Sequence, residues 1–228
     1  MSVGPRNEDD YARFIIASTK LMAPPHVPEI RLYLAEESLP IWQKTEEELG
    51  EMNVPPPFWA FAWAGGQALA RYVLDHPGEV AGKTVLDLGT GSGLAAIAAK
   101  MAGAHSVLAA DIDRMALASV RLNAGANGVE ITTTGENMLD NSPGDFEVIL
   151  VGDLFYEREL ASRVLAFLTA ASGRGARILA GDPKRSYFPT DRFDNVAEYE
   201  VAVTRELEDA LVKKTAVWTL AGRPASAE

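Results

Sequence analysis

Lys83-Thr-Val-Leu-Asp-Leu-Gly-Thr-Gly-Ser-Gly-Leu94 is the stretch on which the fold turns. Val85, Leu86 and Leu88 form a short apolar run that carries Asp87 near its end. Gly89, Gly91 and Gly93 follow at alternate positions, and an alanine-rich helical pattern begins at Leu94. The pattern predicts a buried strand feeding a tight turn whose missing Cβ atoms let a ligand approach the backbone. That turn opens onto a helix N-terminus, with unpaired N–H groups and partial positive charge. It is the signature of a cofactor cradle.

Downstream, the chain alternates. Apolar runs predict strands near 84–88, 106–111, 129–134, 146–152 and 176–181, with helices near 93–102, 114–125 and 158–171. Continuously apolar strands separated by helices of this length argue for a doubly wound, mostly parallel α/β sheet. The tail breaks the alternation. Residues 195–203 and 211–220 read as two strands joined by polar Arg205 to Ala210, a hairpin that places an antiparallel strand at one sheet edge.

Upstream, Gln67 to Leu74 has helical periodicity and stops at His76-Pro77-Gly78. Before it lies the densest aromatic stretch, Phe58-Trp-Ala-Phe-Ala-Trp-Ala-Gly-Gly66. Residues 8–22 predict an amphipathic helix with Tyr11, Phe14, Ile15, Ser18 and Met22 near one face. An extended run from Ile30 to Leu34 and an acidic helical patch at Thr45 to Leu49 follow. Pro55-Pro56-Pro57 then forces an extended path. The expected organisation is an N-terminal extension over 1–57 packed on the core, a catalytic domain over 58–222 and a frayed tail over 223–228.

Composition narrows the function classes. The 228 residues carry a net charge of −11, which disfavours a general grip on nucleic acid. An acidic body instead suits a basic partner, such as a lysine-bearing protein surface. Cysteine is absent and the three histidines are scattered, so no thiolate or histidine metal site is expected. No apolar run approaches the roughly 18–20 residues needed to span a bilayer, and Glu8-Asp9-Asp10 argues against a mitochondrial presequence. A cytoplasmic protein with no membrane partner is the expectation.

The dinucleotide fingerprint needs a glycine or alanine three positions after the second glycine, where this chain has Leu94. No Gly-Lys-Ser/Thr follows, so the P-loop pattern fails too. Asp87-x-Gly89-x-Gly91-x-Gly93, with Asp111 ending the second strand, instead resembles class I S-adenosylmethionine-dependent methyltransferases. More narrowly, the chain is similar to the lysine methyltransferases that modify the β subunit of electron transfer flavoprotein. The match is carried by Trp63 to Pro77, Leu86 to Gly93, Ala98 to Ala104, Asp111-Ile-Asp113, Leu122-Asn123, Gly152-Asp-Leu-Phe-Tyr156 and Gly181-Asp-Pro183. It covers most of the chain from about Leu32 to Trp218. Two departures stand out: Ala64 replaces the proline of the commoner Trp-Pro-Gly-Gly form, and the connection from Asp182 to Val196 is short.

The resemblance implies a seven-stranded sheet, S-adenosylmethionine as methyl donor and a protein substrate with exposed lysines. By the same resemblance, Gly89, Gly91 and Gly93 bring backbone against the methionine part of the cofactor, with Asp87 close to its ammonium or sulfonium side. Asp111 holds the ribose unless it only caps the helix near Arg114. Trp63 walls the pocket, whereas Trp59 reads as core. Asn137 stays open between approaching the adenine and acting as a turn residue, and Asn123 between a cofactor contact and a helix-end cap. Asp153 is expected to hold the target lysine's ammonium, with Tyr156 shaping the slot; its alternative is an N-cap for the helix near Glu157. A ribosomal protein or a small molecule remains an alternative acceptor, and a non-catalytic cofactor-binding module is a third reading. The N-terminal segment is expected to help shape the substrate entrance.

Overall fold

A computed structural model describes residues 8–35, 56–203 and 211–221. The acidic patch at 45–49, the 205–210 connection and the tail beyond 222 lie outside the described residues. Seven strands form one sheet: β3 (Thr84–Leu88), β4 (Ser106–Ala110), β5 (Thr132–Thr134), β6 (Val148–Gly152), β7 (Arg177–Asp182), β8 (Phe193–Ala202) and β9 (Val212–Leu220). Their order across the sheet is β5-β4-β3-β6-β7-β9-β8. The first five are parallel, and β9 runs antiparallel to both its neighbours.

The tail forms the expected antiparallel hairpin at one sheet edge, with its first strand, β8, outermost. The tail hairpin inserts its second strand, β9, between β7 and β8. Burial explains the choice: Thr215 to Trp218 are all buried, whereas β8 exposes most of its residues and so suits the edge. The strands β3, β6 and β7 are buried almost throughout, as expected of a sheet covered on both faces.

Helix α2 (Ala64–Asp75) and helix α3 (Leu94–Met101) supply Leu69, Val73, Ile97 and their neighbours to one face of the sheet. Helix α4 (Arg114–Ala126) follows β4. On the opposite face, α5 (Arg158–Gly173) buries Val164, Phe167 and Leu168 against Leu86, Ile149 and Ile178. The predicted element positions hold for every strand and helix of this region to within a few residues.

The predicted 8–22 helix is shorter. Helix α1 (Glu8–Ser18) ends where the Thr19 hydroxyl donates to the Ile15 carbonyl, and Met22 belongs to strand β1 (Lys20–Met22). β1 pairs with β2 (Leu32–Leu34), within the extended run read from sequence. Ile15 packs with Trp59, Phe61, Ala116 and Ala118, so the core reading of Trp59 is right. Asn123 of α4 and its C-cap Asn127 clip the N-terminal segment down. Asn127 exchanges hydrogen bonds with the Arg31 backbone at 2.9 and 2.6 Å, and Asn123 Oδ1 accepts from Tyr33 N–H at 2.7 Å.

Candidate active site

The carboxyl ends of β3, β4, β6 and β7 form one crevice, the usual ligand position in open α/β sheets. Gly89, Gly91 and Gly93 all have positive φ, at 66°, 53° and 82°. Each is therefore in a region that L side chains enter only with strain. A Cβ on Gly89 would lie 2.7 Å from Leu154, whereas one on Gly91 would meet nothing within 4 Å. Gly91 is thus where the backbone is bare toward open space. Ala110 O, at the tip of β4, accepts from Gly89 N–H and Thr90 N–H, which fixes the turn to the sheet.

Three aspartates organise this side. Asp87 is buried, and its Oδ2 accepts from Thr90 Oγ1 at 2.6 Å and from Ala96 N–H at 3.1 Å. Loss of hydration pushes its pKa up to about 6. Asp87 thus braces the loop from beneath. Asp111 Oδ2 accepts from Gly91 N–H at 2.9 Å and Oδ1 from Asp113 N–H at 3.0 Å. The cap of α4 is Asp113, which accepts from Met115 N–H, so the capping alternative for Asp111 falls away. An ionised carboxylate has about four lone-pair sites, so Asp111 keeps acceptor capacity beyond its two backbone donors.

Asn123 departs from both expectations. It is fully buried and donates to Ser92 O at 2.8 Å and Ser119 Oγ at 3.1 Å while holding Tyr33 N–H. It ties the N-terminal strand to the glycine loop, and the helix end is capped by Asn127. Asn137 caps the short turn Met138–Asp140 through Leu139 N–H, in line with its turn-residue reading.

Across the crevice, Asp153 follows β6 with a left-handed φ of 58°. Its side chain is not the cap of α5, whose N-cap residue is Glu157. Oδ2 accepts from Gly66 N–H at 2.9 Å, and Oδ1 accepts from Arg185 Nε at 2.8 Å with Nη2 at 2.6 Å. The Trp-Ala-Gly-Gly segment explains the first contact. Trp63 is the N-cap of α2 and Ala64 its first residue, so Gly65 and Gly66 are the first helical turn rather than a free turn. A Cβ on Gly65 would lie 2.2 Å from Gly181 O, and one on Gly152 only 3.2 Å from Gly66 Cα. These glycines let a helix start sit directly on the tips of β6 and β7.

The aromatic wall is Trp63, Phe58 and Tyr156. Trp63 Nε1 donates to Phe58 O, the Phe58 ring lies 5.9 Å from Trp63 and 5.8 Å from Tyr156, and Tyr156 is 46% exposed. Arg185 stacks over Trp63 at 5.5 Å. Asp182, fully buried at the end of β7, accepts Arg185 N–H at 2.7 Å through Oδ1. Its Oδ2 has no hydrogen-bond partner among the described residues, and burial together with the nearby Asp153 pushes its pKa up to about 7. Sequence reasoning gave Asp182 and Arg185 no role. The only signals were Gly181-Asp-Pro183 and the basic pair Lys184-Arg185.

A hollow of about 300 Å³ lies at the opposite ends of the strands, near Lys83, Glu147 and Arg177. Its Lys83, Glu147, Arg174 and Arg177 are spent on structural hydrogen bonds. Among the described residues, no cluster could hold a metal ion and no helix is long and apolar enough to cross a membrane.

Comparisons with known proteins agree with this geometry. The family model for ribosomal protein L11 methyltransferase (PrmA) matches residues 67–152. The electron transfer flavoprotein beta subunit lysine methyltransferase of Danio rerio is 34% identical over 96% of this chain and 86% of its own length. Its Rattus norvegicus counterpart is 38% identical over 84% of this chain and 76% of its own length. Among solved structures, magnesium protoporphyrin IX methyltransferase from Synechocystis, with bound S-adenosylmethionine, shares the fold at a TM-score of 0.52. That likeness covers 69% of this chain and 80% of the other at 18% identity. The Gly91 backbone, where a Cβ would meet only open space, lies beside a carboxylate with spare acceptor capacity and fits such a cofactor. The chain belongs to the electron transfer flavoprotein beta subunit lysine methyltransferase family and is an S-adenosylmethionine-dependent protein-lysine methyltransferase.

Proposed function

We propose that this enzyme methylates lysines of the electron transfer flavoprotein β subunit, with Asp153 as the group that receives the substrate's ammonium. The observation that carries the reading is the Asp153 carboxylate fixed by Gly66 and by Arg185, whose guanidinium lies over Trp63 of the Trp63–Phe58–Tyr156 ring cluster. The names of the relatives supply the substrate. When bound, S-adenosylmethionine supplies a methyl group on a sulfonium sulfur and leaves as S-adenosylhomocysteine.

On the cofactor side, Gly89, Gly91 and Gly93 present backbone to the methionine part and Asp111 holds the ribose hydroxyls. Asp87 acts through the loop it braces. Trp63 walls the pocket, where an aromatic face also favours a sulfonium cation. Asn137 sets the turn on the adenine side. The N-terminal extension over 1–57 helps shape the substrate entrance, and within it the strand around Arg31 and Tyr33 rests on the Asn123 and Asn127 clips.

On the acceptor side, Asp153 and Tyr156 bind and orient the lysine. Alignment of two reactants contributes roughly 7–11 kcal/mol in favourable intramolecular analogies. Deprotonating a lysine with a reference pKa near 10.4 costs about 4 kcal/mol at pH 7.4.

Asp153→Asn is the decisive variant. Label transfer from labelled S-adenosylmethionine to purified β subunit should fall about hundredfold, while S-adenosylhomocysteine affinity stays within a few fold. Loss of cofactor binding would move Asp153 into the cofactor site. A host lysate labelled only in RNA or small molecules would end the protein-lysine reading. Because the L11 methyltransferase model covers 67–152 and the Geobacillus thermodenitrificans enzyme is 46% identical over 90 residues, ribosomal protein L11 is the control acceptor.

A further inference from the structure

Asp153 by itself poses a problem. A carboxylate beside an arriving lysine favours the charged ammonium, yet only the neutral amine attacks a methyl group. Arg185 supplies the missing counter-charge. Its guanidinium binds Oδ1 of Asp153 through Nε and Nη2, with the two side chains only 18% and 10% exposed. It is held there by more than one contact. Asp182 Oδ1 accepts its backbone N–H, Trp63 lies beneath its plane, and Lys184 takes a left-handed φ of 64° just before it. That much local constraint on a loop residue is unusual for a surface ion pair.

We propose that Arg185 is a positioning residue that neutralises Asp153, so that a lysine entering between Trp63, Phe58 and Tyr156 loses its proton to water at a lower pH than it would beside an uncompensated Asp153. This rests on the lysine-binding reading of Asp153 above. The other charged and titratable groups around the pair are Asp182 at the tip of β7, Asp111 and Glu157 acting on Tyr156, and Lys184 and Lys213. The two lysines line a cleft of about 230 Å³ with Tyr156 and Arg185. The Tyr156 hydroxyl is pushed up by burial, so it stays protonated and does not serve as a neutral-pH base. Removing Arg185 leaves Asp153 uncompensated against the incoming ammonium. An opposite charge within about 4–6 Å moves a pKa by roughly 1–3 units.

The test is the pH dependence of the single-turnover rate from the enzyme–substrate complex, which reports groups in that complex. Purified electron transfer flavoprotein β subunit serves as acceptor, with Arg185→Gln and Arg185→Lys compared to the wild type. In Arg185→Gln the acidic limb should rise by about 1–2 pH units. Its rate should therefore fall at least about tenfold at pH 7 and converge on the wild type at high pH. Arg185→Lys keeps the charge, and its limb should stay within about half a unit. S-adenosylhomocysteine affinity, expected within a few fold for both, checks the fold. A rate loss by one factor at every pH, or a limb that stays put in Arg185→Gln, overturns the proposal. So does a limb that moves a full unit in Arg185→Lys, even if Arg185→Gln fails to bind cofactor. If wild-type enzyme labels no lysine of the β subunit, the parent reading has failed. If it labels lysine but the limb is unmoved, only the role of Arg185 has.

Discussion

On the β3–β4 side of the crevice, Asp87 and Asp111 accept hydrogen bonds from backbone and hydroxyl groups within or beside their own loops, no more than 20 residues away. On the β6–β7 side, Asp153 is held by a glycine 87 residues upstream and an arginine 32 residues downstream. The half proposed for the cofactor is therefore built by local chain geometry, and the other is the half proposed for the acceptor. The acceptor half exists only once three distant segments have met. Specificity for the acceptor can then change through any one of those segments without disturbing the cradle opposite.

Glycine substitutions should break this contrast most sharply. Gly65→Ala puts a Cβ 2.2 Å from Gly181 O and 2.6 Å from Asp153 Oδ2, both in the acceptor half. Overpacking of this kind costs about 3 kcal/mol, so Tm should drop by about 10 °C with turnover lost. Gly91→Ala meets no neighbouring atom and pays mainly for its left-handed backbone. Its Tm should fall by only about 4 °C, while S-adenosylhomocysteine affinity falls at least about tenfold. Calorimetry and turnover measured together would separate the two halves; equal damage from both substitutions would erase the distinction.

A smaller effect concerns pH. Asp182 has a folded pKa of about 7, above its unfolded value, mainly because burial opposes its charge. The folded state therefore binds the extra proton between about pH 4 and 7. Stability from this group is complete below pH 4 and drains away as pH rises toward 7. Asp182→Asn cannot ionise, so its Tm relative to wild type should climb steadily as pH rises from 4 to 7.5. A Tm difference that is flat with pH would show that Asp182 ionises without penalty.

The mildest change is Ala64→Pro. Ala64 is the first residue of α2, where proline's missing N–H goes unused, and Trp63 already has the extended geometry proline demands of its predecessor. Thermal melts should show a gain of up to about 2 °C with turnover unchanged. A loss would mean that the buried Ala64 pocket has no room for the ring.

These differences also explain what the sequence made legible. The cradle could be read from Asp87, the three glycines and Asp111 because its parts are near neighbours in the chain. The parallel strands announced themselves as buried apolar runs. Which strand of the tail hairpin lies outermost was hidden, since β9 carries Lys213 and Lys214 before its buried run and only packing assigns it to the inside. Helix α1 stopped early because the Thr19 hydroxyl competes for a backbone carbonyl, a choice that periodicity does not register. Asp153 was identifiable as a strand-tip acid, but its pairing with Arg185 was not, because nothing local links residues on separate β–α loops. Asn123 looked like a ligand residue or a cap and proved to be a clip between segments 31 residues and more apart.

Placement of β9 has a bearing on how the protein is made. The strand synthesised last of the seven lies in the interior of the sheet, and Trp218 Nε1 on it donates to Asp182 O beside the acceptor site. During translation, β7 stands as an open edge until residues 212–220 have left the ribosome. Closing that edge brings the Trp218 hydrogen bond to Asp182 O, at the root of the loop that carries Arg185, so this support comes from the last strand of the sheet to be made.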